Sequence, residues 1–348
     1  MSAESGRDTR IRSSSPTLGS GIRQTWMDWV RGICVVLVVF RHVTSLLVER
    51  EAALPAGILA FDEASGPFRQ PLLMALSGLV FPFSLRKSTR AFFASRLRSV
   101  AWPYLVWSVL TLAALGSLSL ATVSRIPLFA PTYLWYLWFL LAYSALAFCL
   151  ARLLRRLGLG PTPLLLVAGV LLAASAGLPE THRLSRFAFL GAFFLFGWWW
   201  AERQPLQERT VGARLAVTVG GVAAAVVAVA AILGADARHT LPWAWGPIGL
   251  VVALAAAGPR FRAWRPRSAR ALQRGLQFLG RQALVMYVTH MSVIALTLDV
   301  ALQWLPVGPS FSLALVAGLG VGAVVAGLTR VPIVRAFFVW PLYGSTHR

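Results

Sequence analysis

The chain has 348 residues, of which 57% are hydrophobic, and its mean hydropathy is +0.68. One soluble core cannot bury that much apolar surface, so the composition excludes an ordinary soluble domain. The formal charge of +21 comes from 33 basic and 12 acidic residues. Because the basic residues form short clusters between apolar runs, they indicate membrane topology, and we expect no nucleic-acid partner.

The N-terminal 26 residues are polar and rich in Ser and Arg, and they predict a disordered cytoplasmic tail. The apolar run that follows has no small-residue cleavage site, so we expect it to be retained as a membrane anchor. A transmembrane domain is predicted over 27–341, followed by a cytoplasmic tail over 342–348. Cys34 and Cys149 lie in apolar runs, and neither a disulfide nor a metal site is expected.

Hydropathy predicts an all-α membrane bundle of about ten transmembrane helices. The predicted spans are 28–48, 69–85, 101–120, 132–151, 163–178, 187–201, 211–233, 243–258, 279–299 and 311–329. With the N-terminus inside, the inner segments hold 23 basic residues and the outer segments hold 6. This asymmetry predicts a multi-pass protein of the cell membrane with both termini in the cytoplasm.

The first span contains four ionisable residues, Asp28, Arg31, Arg41 and His42. A charge at the centre of a membrane helix costs roughly 2.5–3.5 kcal/mol, so each of these residues needs a partner or a function. At about 100° per residue, Arg31 and His42 point within roughly 20° of each other and lie about 16 Å apart along the helix axis. An elongated ligand with an anionic end and a reactive end could contact both residues.

Two interpretations of these residues stay open. Asp28 and Arg31 can form an ion pair at the membrane entry, while His42 makes only a structural hydrogen bond in the bundle. Alternatively, a neutral imidazole of His42 inside the membrane can take a proton from a hydroxyl group.

Five segments resemble the membrane-bound acyltransferase-3 family, in the family's own order. The mark of that family is an Arg, ten residues and a His, which Arg31 and His42 reproduce. The segments are the first helix 26–42, the Ser-Gly helix 71–78, the basic loop 92–104, the tryptophan-bearing helix 133–140 and the late helix 279–290 with its Tyr and His. The middle of the chain shows hardly any resemblance.

The resemblance implies a ten-helix enzyme that moves an acyl group, commonly acetyl, from acyl-coenzyme A to a hydroxyl of a carbohydrate or a secondary metabolite. No bound cofactor is implied, since acyl-coenzyme A is a co-substrate. His42 would be the catalytic base, with Arg31 holding the donor and Asp28 completing the catalytic group. The coenzyme phosphates would lie near Arg86, Lys87, Arg96 and Arg98, although these residues also fit an ordinary positive-inside signal.

Three further substrate-binding candidates are Trp138, Tyr287 and His290. Tyr287 and His290 share a helix face at positions i and i+3, so one can orient the other, or His290 can make a structural hydrogen bond. Trp138, like Trp135, also fits an aromatic belt at the membrane interface.

Three further features of the sequence concern helix packing, two loop histidines and one unusual arginine. Ser77 and Gly78 predict close helix packing or a break in the helix. His182 and His239 lie in predicted outer loops and are interpreted as solvated. Arg41 stands where the family more usually has an apolar or small residue, and the sequence suggests only a charge that faces another helix or lengthens the polar channel.

Some members of the family carry a C-terminal esterase-like domain. None is expected in this chain, so transfer would be completed in the bundle or by a separate extracytoplasmic protein. The alternative function is a membrane transporter or flippase that uses the Arg and His face as a substrate or proton path. No internal repeat of the kind found in transporters is evident. A membrane scaffold is a third possibility, but it leaves His42 without a purpose.

Overall fold

The computed structural model describes residues 25–128, 130, 133–179, 183–203, 210–261 and 270–341. The longer helices are α1 (Thr25–Glu49), α2 (Ala56–Leu85), α3 (Thr89–Ala114), α4 (Trp135–Arg156), α5 (Pro163–Ser175), α6 (Leu184–Arg203), α7 (Thr210–Ile232), α8 (Trp245–Phe261), α9 (Arg270–Arg281), α10 (Ala283–Ala301) and α11 (Val307–Leu328). The C-terminal tail 342–348, His182 and all but the last two residues of the predicted N-terminal tail lie outside the described residues.

Within the described part of the chain, nine helical segments are long and apolar enough to cross a membrane. The remaining predicted span, 163–178, corresponds to the shorter apolar helix α5, which rises only about 20 Å at 1.5 Å per residue. The prediction of an all-α, polytopic membrane bundle is confirmed.

Two predicted helix starts are wrong, both for the same physical reason. Helix α2 begins at Ala56 rather than at 69, and α3 begins at Thr89 rather than at 101. In each case the missing turns carry charged residues, which lower the local hydropathy although the backbone stays helical. Arg69, predicted in an outer loop, is therefore a buried residue inside α2.

Contacts near the helix ends support the predicted alternation of the spans. On one face, the indole Nε1 of Trp102 donates to the carbonyl of Ala336 at 2.6 Å, and both residues belong to predicted inner ends. On the other face, Arg238 pairs with Glu63 at 2.8 Å, and both belong to the predicted outer side. We call these the inner and outer faces; which of them meets the cytoplasm stays a prediction.

The main core is aromatic and lies where α2, α4 and α6 meet. Phe81 and Phe194 pack edge to face with ring centroids 5.4 Å apart. The helices approach closely through Gly78, where an added Cβ would lie 2.0 Å from the carbonyl oxygen of Phe194. The predicted packing role of Gly78 is confirmed.

Candidate active site

Two cavities adjoin inside the bundle. The larger, of about 880 Å³, lies on the outer side and is lined in part by the loop before α8. The smaller, of about 260 Å³, extends toward the inner face. The residues that line both cavities and so mark their boundary are Val38, Leu73, Tyr136 and Tyr287.

Two histidines face each other at this boundary. His42 of α1 lines the larger cavity, His290 of α10 lines the smaller one, and their ring centroids are 5.0 Å apart. His290 is fully buried, and its Nδ1 lies 3.0 Å from the carbonyl oxygen of Met286. Because a carbonyl only accepts hydrogen bonds, Nδ1 carries the hydrogen and Nε2 is left with a lone pair. Within the described residues this Nε2 is buried without a hydrogen-bond partner.

Tyrosines fix the position of His290 by tying α10 to the start of α4. The hydroxyl of Tyr287 donates to the carbonyl of Tyr133 and accepts from the backbone N–H of Tyr136 at 3.3 Å. The hydroxyl of Tyr133 donates in turn to the carbonyl of Val288 at 2.6 Å. The ring of Tyr287 lies 5.9 Å from that of His290.

Two arginines line the inner end of the smaller cavity, Arg31 of α1 and Arg96 of α3. Ser99 beside them belongs to a π-helical turn, Leu97–Ala101, of a kind often found at functional sites. The Nη1 of Arg31 lies 3.6 Å from Oδ1 of Asp28, which is buried and lines neither cavity. Asp28 is thus placed to support Arg31 rather than to touch the reacting atoms.

A charged cluster on the outer side escaped the sequence reasoning. Buried Asp62 of α2 accepts hydrogen bonds from Arg41 at 2.6 Å, Arg69 at 3.1 Å and Arg238 at 2.9 Å. All three arginines line the larger cavity. Asp62 and Arg69 are two helical turns apart and share one face of α2. This spacing could have predicted their contact from the sequence. The cluster also explains Arg41, the residue directly before His42.

A family model described as an acyltransferase domain matches residues 24–329. The chain belongs to the acyltransferase-3 family. The match includes the middle of the chain, which the five motif segments hardly covered. The protein is therefore a multi-pass membrane protein of an acyltransferase family.

Among curated proteins, the chain is similar to the nodulation protein NolL of Sinorhizobium fredii, with 27% identity over 209 residues. The alignment covers 58% of this chain and 55% of NolL, so the chain spans about half the length of that relative. No solved structure matches the chain significantly.

The basic residues predicted to bind the coenzyme phosphates do not all line one of the described cavities. Arg96 lines the smaller cavity, whereas Arg86 lines a separate cavity of about 510 Å³. Lys87 donates to the hydroxyl of Ser95 at 3.2 Å and lines neither of the two adjoining cavities. Arg98 lines neither of them as well.

Of the two tryptophans of α4, Trp135 lines the larger cavity and Trp138 does not. The guanidinium of Arg186 lies over the ring of Trp135, 5.4 Å from its centroid. The indole Nε1 of Trp138 instead donates to the carbonyl of Pro127 at 3.0 Å. Which of the two faces the cavity depends on the rotation of α4, and tertiary packing sets that rotation.

His239 is not the solvated loop residue that the sequence suggested. It lines the larger cavity, and its Nε2 is buried without a hydrogen-bond partner among the described residues. Burial, and then the charges of Arg186, Arg69 and Arg238, lower the pKa of His239 to about 3. This imidazole is therefore neutral at physiological pH.

Proposed function

We propose that this protein transfers an acyl group, acetyl in the simplest case, from acyl-coenzyme A to a hydroxyl of a carbohydrate or glycosylated acceptor. The observation that carries the proposal is the His42 and His290 pair at the boundary of two cavities. Donor and acceptor can approach this pair from opposite sides, as a direct transfer between them requires.

The smaller cavity suits the donor. Its volume of about 260 Å³ fits an acyl group with part of a thiol arm but not a nucleotide. The nucleotide would then lie at the inner end, beside Arg31 and Arg96, because guanidinium groups bind phosphate through paired hydrogen bonds. The predicted cytoplasmic location of this end agrees with the source of acyl-coenzyme A.

The larger cavity suits the acceptor, and His42 lines it. In the proposed reaction His42 takes the proton of the acceptor hydroxyl, and the oxygen attacks the thioester carbonyl carbon. The carbon–sulfur bond then breaks, and the coenzyme leaves as a thiol that takes up the proton from His42. The new carbon–oxygen bond completes the ester.

His290 is a positioning residue in this scheme. Its Nε2 lone pair can accept an N–H from His42, which fixes the tautomer of His42 and leaves the other ring nitrogen of His42 as the base. The adjoining cavities favour transfer completed within the bundle over delivery to a separate extracytoplasmic enzyme.

The test uses purified protein in nanodiscs with acetyl-coenzyme A and a cell-envelope extract from the source organism as acceptor. We expect release of free thiol and incorporation of labelled acetyl groups into the extract. His42→Ala should lower both rates about a hundredfold or more, because it removes the general base. Val48→Ala, an exposed position on the same helix, is the matched control and should leave both rates unchanged.

Two outcomes would contradict the proposal. One is a His42→Ala variant that is inserted in the membrane and still transfers acetyl groups at the full rate. The other is movement of an anionic solute across vesicles without any thiol release, which would favour the transporter.

A further inference from the structure

Among the described residues, the larger cavity has several cationic groups close together. The arginines that line it are Arg41, Arg69, Arg186 and Arg238. The carboxylates on it or paired with its arginines are Asp62, Glu63 and Asp236. Three of these arginines surround Asp62, and one of them also pairs with the 46% exposed Glu63. Among the described residues, three guanidinium groups thus face two carboxylates in a partly enclosed space inside a membrane protein.

The arginines of the cluster keep hydrogen-bonding capacity. The side chain of Arg69 is only 5% exposed, and both of its hydrogen bonds, to Asp62 at 3.1 Å and to Ser65 at 3.3 Å, come from Nη1. Its Nη2 and Nε make none with the described residues. The Nε of Arg238 is likewise buried without a partner in the described chain. A guanidinium offers five N–H donors, so each of these side chains can bind a further acceptor.

A purely structural role accounts for only part of this arrangement. Asp62 and the partly exposed Glu63 together cannot neutralise three guanidinium groups, and like charges repel strongly where water is scarce. An anion in the cavity would relieve that repulsion, whereas a neutral ligand would not. Gln70 and His239 also point polar atoms, Oε1 and Nε2, into buried positions without partners in the described chain, and both residues line the same cavity. These atoms suit the hydroxyls of a ligand.

We infer that the acceptor carries an anionic group, a carboxylate or a phosphate, close to the hydroxyl that is acylated. Arg41, Arg69 and Arg238 bind this group. His42 is the neighbour of Arg41 on the same cavity wall and takes the proton of the hydroxyl. The inference rests on the proposed function and extends it to the class of acceptor.

The test measures thermal unfolding of the full-length protein in a neutral polyoxyethylene detergent, which has no sugar headgroup. The probes are glucose, glucose 6-phosphate, glucuronate and inorganic phosphate at equal ionic strength. Glucose 6-phosphate or glucuronate should raise the Tm by about 2–4 °C in a saturable manner, and glucose should not. Arg238→Gln should weaken the apparent affinity for the anionic sugar about tenfold or more, because it removes a charge-assisted hydrogen bond.

Arg125→Gln is the matched control, since it removes one exposed positive charge from the outer side without touching the cavity. It should leave the response to the anionic sugars unchanged. If Arg238→Gln does not fold, the comparison of probes on the wild-type protein still shows whether anionic sugars bind in preference to glucose.

Three results would overturn the inference. Glucose could stabilise the protein as well as its charged derivatives do. Inorganic phosphate alone could match glucose 6-phosphate, which would show an anion site without sugar recognition. Added phosphatidylglycerol could be the only stabilising probe, which would assign the charge to a lipid headgroup.

The same preparation separates this inference from the proposed function. Thiol release from acetyl-coenzyme A with the envelope extract, without stabilisation by anionic sugars, would refute only the anionic acceptor. Stabilisation by anionic sugars without any thiol release would leave the binding site standing and refute the acyltransfer reaction proposed for it.

Discussion

The two ends of helix α1 are held in place by different physical forces. At the inner end the backbones of α1 and α9 touch, since an added Cβ on Gly32 would lie 2.0 Å from the carbonyl oxygen of Leu276. The reverse contact is as close, with a Cβ on Gly280 only 1.8 Å from the carbonyl oxygen of Asp28. At the outer end α1 packs through side chains: Val43 and Leu47 lie in a buried apolar cluster with α10 and α11, and Arg41 pairs with Asp62 at 2.6 Å.

Each end of α1 borders a different cavity, and the contacts at that end suit the ligand proposed for it. Backbone contact fixes the inner end rigidly, and Arg31 there borders the smaller cavity, where one donor with a constant shape is proposed to bind. The outer end adds to its apolar packing the pair of Arg41 with Asp62, and it borders the larger cavity. The charged cluster around Asp62 can adjust its hydrogen bonds to the acceptor without moving the helix that carries His42.

The largest effect on stability is expected from removing the carboxylate of Asp62 near the outer end of α1. Asp62→Asn leaves three guanidinium groups without their shared carboxylate, and it should lower the free energy of unfolding by about 3–5 kcal/mol. Thermal unfolding followed by size-exclusion chromatography measures the loss. Glu63→Gln is the control: Glu63 is 46% exposed and its one ion pair with a described residue is that with Arg238, so the change should cost about 0–1 kcal/mol. Equal melting temperatures for Asp62→Asn and wild type would show that the cluster does not hold α1.

The sequence predicted the apolar framework well and the charged cluster not at all. Long apolar runs dominate the hydropathy of most spans, so nearly all helices were found. Asp62, Glu63 and Arg69 lower the average over the first turns of α2, and those turns were therefore assigned to a loop. The third arginine of the cluster, Arg238, lies far along the chain, and no local pattern in one sequence links it to Asp62.

For the candidate site, too, the sequence predicted one part and missed another. Arg31 and His42 were found because they lie on one helix, where spacing alone gives their relative direction. The contact of His42 with His290 and the position of Trp135 on the cavity depend on how separate helices pack. A fixed spacing within one helix carries no such information.

A smaller effect is expected from disturbing the inner end. Gly280→Ala places a methyl group against the backbone of α1, and the forced separation of α1 and α9 should cost about 1–3 kcal/mol. Gly275→Ala on the same helix meets open space and should be neutral or stabilise by up to about 1 kcal/mol. Thermal unfolding of both variants measures the difference. If the two alanines have the same effect, the close approach of α1 and α9 is not what positions the inner end.

The smallest effect is expected on binding of the acceptor in the larger cavity. It is tested on two tryptophans that lie one helical turn apart in α4. Trp135→Leu removes an aromatic surface from the cavity wall and should raise the KM for the acceptor about fivefold with little change in kcat, because such a surface contacts the bound acceptor before and during reaction alike. Trp138→Leu removes a similar side chain that lines neither cavity, so it should leave this KM unchanged. Steady-state kinetics with the envelope acceptor measures both. An equal rise in KM for the two variants would mean that the tryptophans act by anchoring α4 at the membrane interface, and Trp135 would then lose its place on the acceptor side of the site.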